Sequence, residues 1–469
     1  MVTLPARYGR WMPILAPMAL LVLIIHLNSS FGTDSAEFTA ETEFNTKHAQ
    51  GGKFVPIPPA PCPSLPGIDD VLVVVKTGIT EAREKVPVHV RTTLRCIPHK
   101  LVVSDFEEEI DGLRTHDVFR NASEKLRAHQ DFALYNRARE GGRAALLDQD
   151  NKKVANGPSG MMDNPGWKLD KWKFLPMMQE ARQYRPEARW YVFIEADTYA
   201  FWPNLLAWLE HFDSSKNLYL GNQMQIGENL FAHGGSGFVL SHGAMHAVAD
   251  YHAKHVEEWE ERTNIEWAGD CVLGIALRKI GIELTWSWPH VTRESIWQQD
   301  ALGDGFGVKQ WCHPAVTFHH MTPSDVERLW EFDERWFGKV SSLAPRAGLV
   351  LQDHANSSSQ QNNTLLTYSD IFRNFVRPKL TERAEDWDNG SEDLVQKAEP
   401  MTIYECAEHC AKKPLCRQYS LSPDGRCKTS EWAMRGLASP GTQSGTMLWR
   451  VDAAVESSGL CPEPIWVTQ

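Results

Sequence analysis

Two acidic residues, Glu195 and Asp197, follow a hydrophobic run and are separated by one residue. The run, residues 190–194, has the continuous apolar character of a buried strand, so the acids fall at its carboxyl end. Open α/β sheets place their ligand-binding groups at that end. Carboxylates this close repel each other unless a positive charge lies near them, and a divalent metal is the usual partner. The pair therefore indicates an enzyme that handles a nucleotide diphosphate.

The elements around this strand predict a doubly wound α/β domain. Residues 71–75 read as a buried strand, residues 80–96 as a helix, and residues 100–104 as a second buried strand, which together make a βαβ unit. An amphipathic helix over residues 171–185 precedes the acidic motif, and Pro203 begins another helix after it. The acidic pair is therefore expected at the edge of a largely parallel sheet.

Four further residues are candidates for donor or substrate binding. Lys76 and Thr77 follow the first predicted strand and Asp105 follows the second, so position alone brings them to the same sheet edge as the acids. Lys171 adjoins Trp172 ahead of the acidic motif, and aromatic faces suit sugar rings. The alternative for this pair is ordinary helix packing.

Length and charge limit the classes of function. The chain has 469 residues and 42% hydrophobic composition, which suffices for one large domain or two to three smaller ones. Its formal net charge of -12 disfavours a nucleic-acid partner. An acidic protein that binds an anionic nucleotide needs a local cation, which agrees with a metal at the acidic pair.

The N-terminus contains one long apolar segment, residues 11–27. Arg7 and Arg10 precede it and acidic residues follow it, so the positive-inside rule predicts a cytoplasmic tail at residues 1–10 and a lumenal remainder. Residues 28–66 are rich in Ser, Thr, Gly and Pro and read as an extended stem. The alternative is a cleaved signal peptide; the uncleaved anchor is preferred because the run exceeds a typical signal core and lacks a clear cleavage site.

Cysteines and acceptor triplets favour an oxidising, lumenal location. The chain has nine cysteines, so at least one thiol is free or pairs with another chain. Asn-x-Ser/Thr triplets, each weak alone, occur at Asn28, Asn121, Asn356, Asn362 and Asn389.

The C-terminal part differs in composition from the rest. Residues 344–400 are polar, with Gln, Asn and Ser runs, and read as a linker. Residues 401–464 contain closely spaced cysteines, of which Cys406 and Cys410 lie on one face of a predicted helix over residues 403–411. A small disulfide-rich α+β module is expected here, and a zinc site is the rival interpretation.

Four motifs in order resemble glycosyltransferase family 31, and within it the core 1 β1,3-galactosyltransferase and Fringe branch. Residues 195–199 resemble the family's Asp-x-Asp-Thr-Tyr metal motif, and residues 234–241 its Gly-Gly-Ala-Gly-Tyr-Val-Leu-Ser segment. Residues 269–274 resemble Glu-Asp-x-x-x-Gly, and residues 316–319 resemble Val-Ser-Phe-His. The resemblance covers roughly residues 68–340 and implies a GT-A fold, a Rossmann-like mixed sheet flanked by helices.

The same resemblance implies a UDP-sugar donor and a divalent metal, with Mn²⁺ expected. Asp197 would bind the metal directly, and Glu195, which replaces the family's Asp, would bind it through water or hold the ribose. His319 would supply a nitrogen ligand, with a core histidine as the alternative. His320 is second choice, because adjacent residues on a strand point to opposite faces.

Asp270 is implied to be the general base of an inverting transfer, with a helix N-cap as the alternative role. The residue before it is Gly269 where the family has Glu. Glycines let the backbone approach a donor or acceptor closely, and a plain turn is the alternative for them. The three glycines assigned to substrate binding are Gly234, Gly235 and Gly237.

The C-terminal module separately resembles a PAN/apple module through residues 405–410 and 425–427. That resemblance implies the pairs Cys406–Cys427 and Cys410–Cys416.

A further disulfide, Cys271–Cys312, is a hypothesis that would hold the base and the histidine ligand in one frame. Cys461 then has no partner.

These features predict a single-pass type II membrane protein of the Golgi or ER with a lumenal glycosyltransferase domain at residues 67–343. It is expected to transfer a hexose, with galactose as the expected sugar, from UDP to a glycan or glycoprotein hydroxyl in β1,3 linkage, as an N-acetylgalactosaminide β-1,3-galactosyltransferase does. A homodimer is left open, as are the sugar and the acceptor. The rival functions are a non-catalytic carbohydrate-binding membrane protein and a retaining transferase on the same fold.

Overall fold

The structure is a computed structural model and describes residues 62–151, 164–343, 365–397 and 399–468. The anchor predicted at residues 11–27 lies outside these residues. Among the helices of the described ranges, none combines the length and the apolar character that a membrane span requires.

The strands of the described residues form one large sheet and four smaller ones. In chain order they are β1 (Val71–Lys76), β2 (Lys100–Ser104), β3 (Glu109–Ile110), β4 (Leu113–Asp117), β5 (Trp190–Glu195), β6 (Tyr199–Ala200), β7 (Tyr219–Gly221), β8 (Gln223–Ile226), β9 (Asn229–Ala232), β10 (Phe238–Ser241), β11 (Leu284–Trp286), β12 (Asp304–Gly305), β13 (Val308–Lys309), β14 (Thr317–Phe318), β15 (Ala384–Asp388), β16 (Asp393–Leu394), β17 (Gln418–Leu421), β18 (Cys427–Ser430) and β19 (Leu437–Thr446). The large sheet has the order β11-β7-β10-β5-β1-β2-β4-β3. Strands β1, β2, β4 and β5 are parallel, whereas β10 runs against both β5 and β7. The predicted mixed α/β class is confirmed, and the sheet fits a GT-A fold.

Helices cover both faces of this sheet. In chain order the helices are α1 (Ala82–Arg91), α2 (Glu124–Arg127), α3 (Ala133–Gly141), α4 (Pro165–Asp170), α5 (Phe174–Tyr184), α6 (Trp202–Leu209), α7 (His242–Lys254), α8 (Val256–Ile265), α9 (Gly269–Lys279), α10 (Pro323–Leu343), α11 (Tyr368–Ile371), α12 (Ile403–Lys412) and α13 (Leu448–Ser458). The βαβ opening predicted at residues 71–104 is confirmed, with a helix shorter at both ends than expected.

The central strand β1 is buried along its whole length because alternate side chains enter two different cores. Leu72 and Val74 pack with residues of α5, α7 and α9 on one face. Val71 and Val73 pack with residues of α1 and α6 on the other. This two-sided burial fixes the strand register, and the register places Lys76 directly beside Glu195 at the carboxyl ends of β1 and β5.

Residues 365–397, which the sequence analysis assigned to a linker, form ordered structure. Tyr368, Phe372 and Phe375 are buried in a core that also contains Trp297 and, from α13, Val451. The rings of Trp297 and Phe375 stack with centroids 5.3 Å apart. Strand β15 follows and pairs with β19 in the C-terminal five-stranded sheet. The composition of residues 344–400 is polar on average, but the segment contains a short apolar run around Tyr368–Phe375 that packs against the preceding domain.

Four disulfides occur within the described residues: Cys62–Cys96, Cys312–Cys461, Cys406–Cys427 and Cys410–Cys416. The last two are the pairs that the resemblance to a PAN/apple module implied, and they join α12 to the sheet and to the segment after the helix. The hypothesised pair Cys271–Cys312 is wrong. Cys271 is a free thiol on the buried face of α9, and Cys312 instead bonds Cys461 after α13.

Two of the five predicted glycosylation acceptors lie within the described residues, and they differ in exposure. Asn121 is exposed. Asn389 is buried, and its amide nitrogen donates to the carbonyl oxygens of Tyr419 at 3.0 Å and Gly445 at 3.1 Å. An amide used inside the fold cannot carry a glycan in the folded protein, so Asn389 is withdrawn as an acceptor.

Candidate active site

Lys76 lies between two carboxylates at the carboxyl end of β1. Its Nζ donates to Asp170 Oδ2 and lies 3.0 Å from Glu195 Oε1. Burial alone would lower the pKa of Lys76, but Asp170 and Glu195 raise it above its ordinary value. Burial raises the pKa of Glu195; Lys76 opposes that rise and Asp170 adds to it. The first acid of the motif is thus held in an ion pair at the carboxyl ends of β1 and β5.

Lys173 is a further member of this group. It contacts Thr77 and Asp105, the two other residues that the sequence analysis placed at strand ends. Its Nζ lies 3.0 Å from Asp105 Oδ2 and donates to the Thr77 carbonyl oxygen at 2.8 Å. The Lys173 side chain is only 2% exposed. Asp105 also accepts from the backbone N–H of Ile79 at 2.7 Å. Lys76, Thr77 and Asp105 therefore share one edge of the sheet, as the sequence analysis expected from their positions.

Lys171 does not reach this edge. Its Nζ lies 3.3 Å from Asp131 Oδ2 and donates to the Glu266 carbonyl oxygen at 3.1 Å. The neighbouring Trp172 is buried and also donates to Asp131, so helix packing accounts for both. Lys173, which the sequence analysis did not single out, is the lysine of this segment that reaches the sheet edge; inside a predicted amphipathic helix, no sequence signal separated it from Lys171.

Asp197 forms the centre of a second cluster with two adjacent histidines. Ligand atoms of Asp197, His319 and His320 all lie within 4.8 Å of one another. His319 Nε2 is 3.2 Å from Asp197 Oδ1, and Lys85 Nζ is 3.0 Å from the other carboxylate oxygen. Burial would raise the pKa of Asp197, but His319 and Lys85 hold it well below its usual range. Glu195 lies outside this three-residue cluster.

His320 belongs to the cluster for a conformational reason. The sequence analysis expected it to point away from His319, as the next residue on a strand would. Strand β14 ends at Phe318, however, and His320 has a left-handed φ of 54°. The two imidazole rings consequently lie together, with centroids 3.8 Å apart.

The donor set fits a divalent metal. The Nδ1 atoms of both His319 and His320 are buried without a hydrogen-bond partner among the described residues. Buried polar nitrogens without partners are destabilising unless something binds them. Burial lowers the pKa of His320 to about 4, so its ring is neutral and able to coordinate. Two imidazoles and one carboxylate form a mixed nitrogen and oxygen set of the kind that first-row divalent metals take.

The glycine segment before β10 packs directly on these residues. A Cβ at Gly235 would lie 2.2 Å from the His319 ring, and a Cβ at Gly234 would lie 3.4 Å from Asp270 Cβ. Gly237 has a φ of 83°, which other residues rarely adopt. Thr198 Oγ1 donates to the Gly235 carbonyl oxygen at 2.6 Å and so ties the segment to the acidic motif. These glycines are required by close packing of the site itself.

Asp270 lies in the first turn of α9 with its carboxylate held by two backbone groups. Its Oδ2 accepts from the Gly234 N–H at 2.8 Å and its Oδ1 from the Cys271 N–H at 2.9 Å. Burial raises the pKa of Asp270 to about 6, although both hydrogen bonds lower it. The N-cap of α9 is Ala268, so the alternative role of Asp270 as the helix N-cap is wrong, and its bond to Gly234 instead holds this carboxylate against the glycine segment. A carboxylate with a pKa near working pH suits a general base.

Gly269 replaces an acid in the family motif, and the packing shows why no larger side chain stands there. A Cβ at this position would lie 2.4 Å from the Phe174 ring and 2.5 Å from the Lys171 carbonyl oxygen. The space next to Asp270 is therefore filled by the start of α5. An acidic side chain at position 269 would require this helix to move.

The mixed sheet, the charged side chains at its carboxyl edge and the match to a family model together define a glycosyltransferase. A family model described as Fringe-like matches residues 67–322, which is more than half of the chain. The chain belongs to the Fringe-like family.

Among the solved structures that align is one described as a crystal structure of a glycosyltransferase involved in the glycosylation of the major capsid of PBCV-1. It has 11% sequence identity and a TM-score of 0.25, and the alignment covers 56% of this chain and 99% of that chain. A superposition this loose carries no argument about the present site.

Proposed function

We propose that this glycosyltransferase is a metal-dependent, inverting hexosyltransferase that moves a hexose, galactose in the first instance, from a UDP-sugar to a glycan hydroxyl in β1,3 linkage. One observation supports this most directly. The consecutive residues Gly234 and Gly235 contact Asp270 and His319 respectively, and consecutive Cα atoms are only about 3.8 Å apart. A base and a set of metal ligands thus flank the same short piece of backbone.

The donor side of the proposal rests on Asp197, His319 and His320, which would hold the metal, with Mn²⁺ as the expected ion. When bound there, a divalent cation supplies neutralisation of the charge on the departing diphosphate. Lys76 and the backbone around Thr77 lie on the same sheet edge and would orient the nucleotide. The buried ion pairs of Lys76 keep its ammonium fixed in place, so no reorganisation is needed when an anion arrives.

The acceptor side rests on Asp270. Its carboxylate would take the proton from the acceptor hydroxyl while that oxygen attacks the anomeric carbon. One displacement with one base inverts the configuration at that carbon. Backbone hydrogen bonds from Gly234 and Cys271 fix the carboxylate, so the proton transfer occurs at a defined position.

Location and anchoring are part of the same proposal. A type II orientation with the catalytic domain in the Golgi or ER lumen agrees with four disulfides among the described residues. The C-terminal module, with its PAN/apple-like cysteines, would hold a glycan or glycoprotein acceptor near the crevice.

A non-catalytic carbohydrate-binding protein is the second candidate, and one observation favours it. Both acids of the motif already have a lysine partner, Glu195 with Lys76 and Asp197 with Lys85. A protein that had lost metal binding could keep its acids neutralised in this way.

A donor-consumption assay separates the two functions. Purified full-length protein is incubated with a panel of UDP-sugars, with and without Mn²⁺, and UDP release is measured. We expect metal-dependent release that is lost in Asp197→Asn and kept in Asp213→Asn, a control at an exposed aspartate. Glycan binding without UDP release from any donor would favour the second candidate, and full release in Asp197→Asn would refute the metal assignment.

A further inference from the structure

Three aromatic side chains form a cluster at the end of β11. The rings of Trp286 and Trp288 stack with centroids 6.1 Å apart and an interplanar angle of 23°. The ring of Phe306 meets both of them edge to face, with centroid distances of 5.1 Å and 5.4 Å. Both tryptophans are only partly buried, and Phe306 is 74% exposed.

Phe306 occupies a backbone position that rarely carries an aromatic residue. Strands β12 and β13 are joined by the two residues Phe306 and Gly307, which have φ values of 50° and 78°. A two-residue hairpin turn with two positive φ values favours Asn-Gly or Asp-Gly, because side chains other than these are strained there. Phe306 therefore destabilises its own turn.

The surrounding residues are adapted to this arrangement. A Cβ at Gly305 would lie 2.5 Å from the Trp288 ring, so only glycine lets the hairpin approach the indole this closely. Trp286 Nε1 is shielded from solvent and has no hydrogen-bond partner among the described residues. Local strain at an exposed aromatic side chain points to binding rather than to folding.

The cluster lies on the same edge of the sheet as the candidate active site. Trp286 pairs with Gly221, Gly221 with Phe238, and Phe238 with Phe193 across successive strands. Phe193 precedes Glu195 by two residues in β5. Three strand spacings place the cluster about 14 Å from β5. Strand β7, which lies between β11 and β10, is followed by the β8–β9 hairpin, and the chain then reaches Gly234, which contacts Asp270.

We infer that Trp286, Trp288 and Phe306 form a subsite for a pyranose ring of the acceptor glycan, one or two sugar units away from the hydroxyl that is glycosylated. Aromatic faces and edges pack against the apolar C–H face of a pyranose. The inference rests on the proposed function, since it assigns the ring to the acceptor of that reaction.

The test measures glycan binding directly, without any transfer reaction. Purified full-length protein is titrated with methyl glycosides of galactose, glucose, N-acetylglucosamine and N-acetylgalactosamine and with their β-linked disaccharides, and saturation-transfer NMR reports binding. The variant is Phe306→Asn, which supplies the residue that the turn prefers. The control is Tyr184→Asn, which removes another exposed aromatic, at the end of α5.

Wild-type protein should bind at least one disaccharide more tightly than its monosaccharides. Phe306→Asn should weaken that binding about tenfold while its melting temperature stays equal or rises, and Tyr184→Asn should bind as wild type does. Equal binding by wild type and Phe306→Asn overturns the subsite, as does a loss shared by Tyr184→Asn or the absence of binding to every probe. Because no donor is present, these outcomes are independent of whether transfer occurs.

Discussion

Replacing Gly235 with Ala tests whether the glycine segment and the histidine cluster form one unit. The added Cβ would lie 2.2 Å from a His319 ring atom, whereas an ordinary contact begins at 3.4 Å. The ring or the glycine segment must therefore move by about 1.2 Å. The overlap is the only obstacle to Ala at this position, because the φ of Gly235 is not left-handed. His319 has little freedom to give way, because it is buried and faces Asp197.

Gly235→Ala is expected to weaken metal binding and, to a lesser degree, to lower the stability of the fold. Disturbing a group that positions a metal ligand typically weakens metal affinity by about 10- to 100-fold. Overpacking of a buried site costs about 1–3 kcal/mol of unfolding free energy. Mn²⁺ affinity is measured by isothermal titration calorimetry, and stability by urea denaturation of the metal-free protein.

Gly243→Ala in α7 is the matched control. There the Cβ would lie 2.3 Å from Asn217 Oδ1, a nearly equal overlap, but with the end of a flexible side chain that can rotate away. Ala also favours a helix over Gly by about 1 kcal/mol, so this variant should be as stable as wild type or more so, with unchanged Mn²⁺ affinity. The reasoning is refuted if Gly235→Ala binds Mn²⁺ as wild type does.

The remaining predictions concern the base, the glycans and one disulfide. Asp270→Asn keeps the side-chain shape but removes the base, so turnover should fall by about 10²- to 10⁴-fold with UDP affinity retained; near-normal turnover would exclude Asp270. Because burial raises the pKa of Asp270 to about 6, wild-type turnover should fall below pH 6, and a rate flat down to pH 5 would argue against this role. The same raised pKa means that the stability from this group is present at acid pH and lost as pH rises through 6, so the melting temperature of wild type should fall relative to that of Asp270→Asn between pH 5 and pH 8. Glycopeptide mass mapping should find glycan on exposed Asn121 and none on buried Asn389; modified Asn389 would contradict its packing. Changing Cys312 and Cys461 to Ser together opens a bond between residues 149 apart and should remove roughly 2–5 kcal/mol of unfolding free energy, and an unshifted denaturation midpoint would contradict the pairing.

The strand ends could be predicted from the sequence because the signals there are local. Continuous apolar runs ending at Lys76 and Glu195 identify buried strands, and parallel strands must bring their carboxyl ends to one edge. The disulfides Cys406–Cys427 and Cys410–Cys416 were implied by the resemblance of the C-terminal residues to a PAN/apple module.

The contacts that complete the site could not be predicted, because they join distant residues or depend on one backbone angle. Lys76 meets Asp170 across 94 residues. His320 joins the cluster of Asp197 and His319 because its φ is 54°, and no sequence pattern predicts that angle. The pairing of Cys312 with Cys461 required knowing that the C-terminus returns to the first domain.

The most direct test of the central claim is an NMR measurement of the product. Full-length protein with Mn²⁺ is incubated with UDP-[¹³C]galactose and a panel of glycan acceptors. The account predicts a new β-anomeric signal on an acceptor, formed by wild type and absent with Asp197→Asn or Asp270→Asn. An α-anomeric product, or glycan binding with the donor left intact, would contradict it.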